Sequence, residues 1–211
     1  MRYYPIHLDL QGRPVLMVGG GVIAEGKTEQ LLAAGAQVRL VSPALTARLA
    51  ELVAQGALTW RTGDFRTDDL DGIWLVFSAT AEQPVNEAVA RAAAERKLLC
   101  NVVDQPALCN FITPALVTRG ALQISISTAG GSPTVAQLVK RHIAAAIGDE
   151  YGALLELAAQ LRAALKARGV GYNERRDLLN AFVESEALAL LRAGRVAEAE
   201  QLAQDVLARL T

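Results

Sequence analysis

The 211 residues are enough to bury a sizeable core, and 52% hydrophobic against 20% charged side chains excludes a disordered tail. A formal net charge of -1 excludes a whole-molecule field that would gather nucleic acid or an anionic membrane, so an anionic ligand must be met by local cations. The longest apolar runs, Ile73 to Ala79 and Ile143 to Ile147, fall far short of the roughly 20 residues that cross a bilayer.

At the amino end, Met1 to Asp9 carries Arg2, Pro5, His7 and Asp9 where an export signal would have an apolar stretch and a small-residue cleavage site, so the expected location is cytoplasmic. Cys100 and Cys109 have no CxxC spacing and stay reduced in that compartment; Cys100 reads as a small buried hydrophobe. From residue 13 to about 113, short apolar runs alternate with amphipathic segments, the pattern of a parallel α/β sheet. Strands are predicted at Pro14 to Val18, Gln37 to Val41, Leu58 to Arg61, Ile73 to Ser78 and Leu98 to Val103, rich in Val, Leu and Ile as strands covered on both faces are. Helices are predicted at Val22 to Ala34, Thr46 to Ala54, and from Pro84 at a first turn to about Arg96.

Between the first strand and first helix lies Gly19-Gly20-Gly21-Val22-Ile23-Ala24, which sets Gly19, Gly21 and Ala24 at the three small-residue positions of the dinucleotide fingerprint. The first glycine permits the tight turn, the second lets backbone approach a pyrophosphate, and Ala24 lets the helix pack against the strand. Val22 and Ile23 open the helix, whose free N–H groups face the phosphates. A P-loop would need a lysine and a hydroxyl residue that are missing here. The second strand ends Arg39-Leu40-Val41-Ser42-Pro43 without the acid that usually binds the adenosine ribose, so Ser42 and Pro43 are the candidates there, and the choice of NAD or NADP stays open. Thr80 after the fourth strand and Val102 at the fifth are expected beside the nicotinamide half, where open α/β sheets hold their ligands. Asp104 follows at the same edge: it is a candidate proton acceptor, with a turn aspartate before Pro106 as the structural alternative.

From Pro114 to about Gly148 a short strand pair including Leu122 to Ser127 precedes a helix opened by Ser132-Pro133. These roughly 35 residues cannot bury a core alone and must pack on the first domain or on another subunit, so a homodimer is expected. Ser127 and Thr128, before the turn Gly130-Gly131, can hold a substrate carboxylate by hydroxyl and backbone N–H contacts. Tyr151 to Leu210 reads as a helical bundle, with Leu154, Leu157, Ala158, Leu161 and Leu165 on one face. The expected boundaries are 1–113, 114–148 and 149–211, with Gly148-Asp149 the weaker of the two. His7 and His142 are isolated, so no metal site is spelled out.

Asn101-Val102-Val103-Asp104-Gln105-Pro106, then Cys109-Asn110-Phe111-Ile112-Thr113-Pro114-Ala115, resembles the precorrin-2 dehydrogenase and siroheme synthase family. Pro5-Ile6, the glycine turn with Ala24 and Lys27, Arg119-Gly120, Ser125 to Thr128, Gly130, Ser132 and Pro133 continue the likeness in order and spacing; Gly26 departs from it, where an arginine is common. The resemblance implies an NAD-binding Rossmann-type sheet, an intertwined α+β dimerisation segment and a helical carboxyl-terminal domain. It implies NAD-dependent oxidation of precorrin-2 to sirohydrochlorin, with Asp104 as general base, and in some members insertion of Fe2+ to give siroheme. No methyltransferase segment follows, so the preceding methylation is expected of another protein. In some relatives a phosphorylated serine stands where Thr128 does. Because precorrin-2 carries many carboxylates, Arg119, Lys140 and Arg141 are the expected cations, with Arg175 and Arg176 second and Asn101 a further substrate contact. A dehydrogenase without chelatase activity and a non-catalytic NAD-sensing module are the alternatives.

Overall fold

The computed structural model describes residues 3–210; Arg2 and the outer limits of the first and third expected domains lie outside the described residues. Contacts divide the chain into two compact units, Met1–Thr113 and Pro114–Thr211. In the first unit β1 (Pro14–Val18), β2 (Gln37–Ser42), β3 (Thr59–Thr62), β4 (Leu75–Ser78) and β5 (Leu99–Val102) pair in parallel in the order β3-β2-β1-β4-β5. The helices α1 (Val22–Ala33), α2 (Ala47–Ala54) and α3 (Gln83–Glu95) make the crossovers. This is the Rossmann-like α/β sheet expected from the alternating pattern.

Period-two alternation distributes the strands over both faces. Val15 and Met17 of β1 join Val38 and Leu40 of β2 beneath Leu31 of α1 and Leu49 of α2. Leu16 and Val18 point the other way, with Val76 and Val102, against Val89, Ala92 and Ala93 of α3. Because both faces are covered, these runs are continuously apolar rather than alternating. Thr46, expected as the first residue of the second helix, is its cap: its Oγ1 accepts the Leu49 N–H at 3.2 Å. The chain steps outward from β1 to β2 and β3, then returns to β4 on the other side of β1. The loops leaving β1 and β4 therefore diverge at the carboxyl edge and open a crevice there.

In the second unit β6 (Ala115–Arg119) and β7 (Leu122–Ile126) form an antiparallel hairpin, followed by α4 (Pro133–Ala146) with Ser132 as its cap. Then come α5 (Glu150–Ala167), α6 (Tyr172–Val183), α7 (Ala187–Arg192) and α8 (Val196–Ala208). Leu154, Leu157, Leu161 and Leu165 of α5 pack on Phe182, Leu190, Leu191 and Ala199. Contacts group 114–148 and 149–211 in one unit: a Cβ on Gly152 would strike the carbonyl of Arg119, so its absence lets α5 lie against the β6–β7 turn. No described helix is long and apolar enough to cross a membrane.

Candidate functional site

The glycine turn lies at the mouth of the crevice. Gly19 has φ +116°, and a Cβ on it would strike the carbonyl of Ala79; one on Gly20 would strike the carbonyl of Ala44. Both glycines are therefore required by the packing of the protein itself. Gly21 differs: its φ of -85° suits any residue, and a Cβ built there meets nothing within 4 Å. No side chain caps α1, and the first-turn residues Val22 and Ile23 are 76% and 55% exposed. A helix start with uncapped N–H groups, fronted by a glycine that no neighbouring atom demands, fits a dinucleotide pyrophosphate.

Two clefts meet at Gly21. One, of about 420 Å³, runs from Gly21, Val22 and Ile23 past Ala79 and Thr80 to Val103, Asp104 and Gln105. The other, of about 450 Å³, is lined by Gly20, Ser42, Pro43 and Thr46 among others. An extended dinucleotide has the same layout, with the pyrophosphate at the turn and a nucleoside to either side. On the second side the Ser42 hydroxyl donates to Ala44 O at 2.8 Å, so its proton is committed within the loop. Arg39 turns away, toward the carbonyls of Asp69 and Asp71, each at 3.5 Å. Thr46, which lines this cleft, donates to a carboxylate oxygen of Glu25 of α1 at 2.6 Å, a contact that the sequence does not signal.

On the first side Thr80 lines the cleft, and its hydroxyl accepts the Glu82 N–H at 3.1 Å at the start of α3. Val102 needs correction: its side chain is 1% exposed within the core, and the following residue, Val103, reaches the cleft instead. Asp104 stands on the wall with φ +59°, a left-handed conformation in which a residue other than glycine is uncommon. The loop carrying it is tied at both ends. The Cys109 thiol accepts the Val102 N–H at 3.2 Å and lies 3.1 Å and 3.2 Å from the carbonyls of Val102 and Gln105. Asn110 continues the strand edge, accepting the Cys100 N–H at 2.8 Å and donating to Leu98 O at 2.7 Å. Asn101, expected to touch substrate, is buried and donates to Phe111 O at 3.0 Å; Phe111 packs edge-on against Phe77. Burial pushes the Cys100 thiol up to about 11 and raises that of Cys109, so neither is a ready nucleophile.

Lys27 was matched by resemblance without a role. The structure leaves this residue half-buried and places its ammonium at 2.9 Å from Thr113 Oγ1, to which it donates. Burial holds that amine below the usual lysine range, and the carboxylate of Asp104 partly reverses the effect.

The remaining expected contacts belong to the second unit. Arg119 is committed to structure: it donates to Ile147 O at 2.9 Å and Ala144 O at 2.8 Å, closing the carboxyl end of α4, and pairs with Asp149 at 3.3 Å. Arg175 donates to Val170 O at 3.0 Å, and Arg176 pairs with the adjacent Asp177 at 2.9 Å. Ser127 Oγ accepts the Ala129 N–H at 3.1 Å and Thr128 Oγ1 the Ser132 N–H at 3.2 Å, shaping the turn through Gly130, whose φ is +84°. Lys140 and Arg141 lie along α4, Arg141 exposed and Lys140 partly so. Among the described residues, no three His, Cys, Asp or Glu side chains group as a metal ion would require.

Three family models match the chain: one described as "Putative NAD(P)-binding" over residues 6–115, one for the central region of sirohaem biosynthesis proteins over 119–146, and one for the sirohaem synthase dimerisation region over 150–207. The last falls on the helical bundle, whereas dimerisation was expected of 114–148. Siroheme synthase 3 of Aeromonas hydrophila is 39% identical over 209 residues, covering 99% of this chain and 45% of that protein. A siroheme synthase of Xylella fastidiosa is 42% identical over 206 residues, covering 97% and 43%. The chain thus spans under half the length of these relatives. A solved structure of SirC, a precorrin-2 dehydrogenase, superposes with a TM-score of 0.83 at 27% identity, covering 96% of this chain and 100% of that one.

Proposed function

Because this chain belongs to the precorrin-2 dehydrogenase and siroheme synthase amino-terminal family, we propose that it oxidises precorrin-2 to sirohydrochlorin with NAD as hydride acceptor. The observation that carries the reading is Asp104. It is a carboxylate in a left-handed conformation on one wall of a cleft whose opposite end is the phosphate-binding turn. A bound dinucleotide supplies the acceptor for the hydride that leaves the macrocycle. The chain's part is to hold the pyrophosphate on the N–H groups of α1, to present the macrocycle to the cleft, and to take the accompanying proton on Asp104. One hydride and one proton leave the substrate together, which accounts for both electrons. Lys140 and Arg141 are the proposed contacts for substrate carboxylates, and Ser127, Thr128 and Gly130 offer hydroxyl and backbone groups. The test is the absorbance of precorrin-2 incubated with protein and NAD, with and without Fe2+. Conversion to sirohydrochlorin is expected; NAD binding without conversion would leave a sensing module. Loss of sirohydrochlorin only when Fe2+ is present would add chelation to the activity.

NAD is preferred over NADP in this reading. Among the described residues no basic side chain lines the cleft at Ser42, Arg39 is turned onto carbonyls, and Glu25 brings a negative charge to Thr46. A 2′-phosphate there would find no cation among the lining residues, and would find the Glu25 carboxylate bonded to Thr46, so NAD should bind at least about tenfold more tightly, ~1.4 kcal/mol. Titration of the protein with each dinucleotide checks this, and equal affinities would remove Glu25 from the argument.

The protein works as a homodimer in this proposal. Between 114 and 148 the buried hydrophobics are Val117 and Ala136, while Leu116, Val135 and Leu138 are exposed, apolar surface that suits a second copy. Light scattering should give twice the 22.4 kDa of one chain. An active species of monomer mass at micromolar concentration would overturn it. The cytoplasm is the proposed compartment, which suits two free cysteines.

A further inference from the structure

The corner between β4 and α3 carries a buried polar network on the wall of the first cleft. Asn86 of α3 is 2% exposed, and Ser78, the last residue of β4, is fully buried. The Ser78 hydroxyl donates to Asn86 Oδ1 at 2.7 Å and the Thr80 hydroxyl donates to the same oxygen at 3.2 Å, while Asn86 Nδ2 donates to Thr80 O at 3.2 Å. Thr80 itself is part-exposed and lines the cleft, hard against the glycine turn: a Cβ on Gly19 would lie 3.4 Å from Thr80 N. Of the lining residues that follow β1 and β4, Thr80 has the one hydrogen-bonding side chain; Asp104 and Gln105 come from the loop after β5. We propose that Thr80 is a specificity-determining acceptor for the carboxamide N–H of a bound nicotinamide, and that Asn86 is the positioning residue that holds it so. The inference deepens the reading of this cleft as the nicotinamide side of an NAD site and rests on it.

The polarity follows from one group that cannot be reversed. The Thr80 carbonyl only accepts, so the Asn86 amide must turn Nδ2 to it and Oδ1 to the two hydroxyls. The Thr80 proton is thereby committed inward. The other protein acceptor in its reach, Glu82 O at 3.3 Å, already receives the Asn86 N–H of α3. The hydroxyl oxygen has two lone pairs, and the Glu82 N–H takes one at 3.1 Å. One lone pair and no proton remain for a ligand. A carboxamide offers an N–H to that oxygen. A group of the same shape without the N–H leaves a part-buried acceptor unpaired, which costs on the order of tenfold in binding.

The test is the dissociation constant of three oxidised dinucleotides, measured by calorimetry with no substrate present. The thionicotinamide analogue of NAD keeps the NH2 group and should bind close to NAD. The 3-acetylpyridine analogue has a methyl group in its place and should bind about tenfold more weakly. Thr80→Val keeps the shape and removes the hydroxyl, so it should bring that ratio close to one. Asn86→Ala frees the Thr80 proton to turn toward the cleft and should reduce the ratio to about threefold or less. Asn86→Asp should retain it, because burial drives the acid neutral; it then donates to Thr80 O and accepts both hydroxyls as the amide does. A ratio of constants from one preparation does not depend on its folded fraction, so weakened variants remain informative. A wild type that binds NAD and the 3-acetylpyridine analogue equally, or a Thr80→Val ratio unchanged from the wild type, overturns the acceptor. An Asn86→Ala ratio equal to that of the wild type, or an Asn86→Asp protein as unselective as Asn86→Ala, overturns the positioning role. A wild type that binds none of the three dinucleotides sinks the NAD reading itself. One that binds them selectively but does not oxidise precorrin-2 sinks the proposed reaction and leaves this inference standing.

Discussion

Asp104→Asn is expected to slow precorrin-2 oxidation about a hundredfold or more, the usual contribution of a positioned general base. Asparagine is the informative replacement because of the backbone. Asp104 has φ +59°, and Asn, like Asp, visits the left-handed region, so the loop geometry survives the change. Alanine there would add backbone strain of about 1 kcal/mol and confuse loss of the base with a shifted loop. The clamps from Cys109 and Asn110 do not involve the Asp104 side chain and should remain in place. Affinity for NAD should hardly change, because the proposed pyrophosphate site is the glycine turn at the other end of the cleft. The measurement is the rate of sirohydrochlorin formation by absorbance under saturating NAD. A near-wild-type rate would make Asp104 structural and leave the proton to solvent or to the substrate's own carboxylates. A variant that fails to oxidise but still accelerates iron insertion into supplied sirohydrochlorin would assign chelation to another group.

The glycine turn and the parallel sheet were legible because each depends on local pattern. Glycine spacing between a strand and a helix has few uses, and five Val- and Leu-rich runs separated by helices admit few arrangements. Errors arose where the sequence has no parity signal. β5 is covered on both faces, so nothing in Leu98 to Val103 distinguishes the side chain that enters the core from the one that reaches the cleft. Val102 was chosen, and Val103 lines the cleft. Arg119 shows a different limit: its hydrogen-bond partners are carbonyls some 25 residues later, at the end of a helix, and backbone acceptors leave no trace in side-chain identity. Asn101 and Asn110 lie in the stretch that carries the resemblance, and both hydrogen-bond to the backbone of the loop. A motif thus mixes the proposed base, Asp104, with residues that fix the backbone around it. The contact of Lys27 was hidden by distance along the chain: 86 positions separate it from Thr113, and only the pairing of β4 with both β1 and β5 brings the segment after β5 near α1.

Gly21→Val is expected to weaken NAD binding at least about a hundredfold, ~2.7 kcal/mol, while leaving the fold intact. The two halves of this expectation come from different observations. With φ -85° and ψ -177°, Gly21 has an extended backbone that valine adopts readily, and a Cβ there meets no protein atom within 4 Å. Valine should therefore leave the melting temperature within a few degrees of the wild type. Its methyl groups would instead fill the space where the two clefts meet, in front of the α1 N–H groups that a pyrophosphate would use. Gly20→Ala is the counterpart. Its Cβ would strike the Ala44 carbonyl and displace the loop carrying Thr46, so it should lower stability by about 1–3 kcal/mol, as overpacking does. Paired measurements of NAD dissociation constant and thermal unfolding separate the two. If Gly21→Val binds NAD with the wild-type constant, the pyrophosphate does not lie on this turn; if it unfolds as readily as Gly20→Ala, Gly21 serves the fold and its open space has no ligand to explain it.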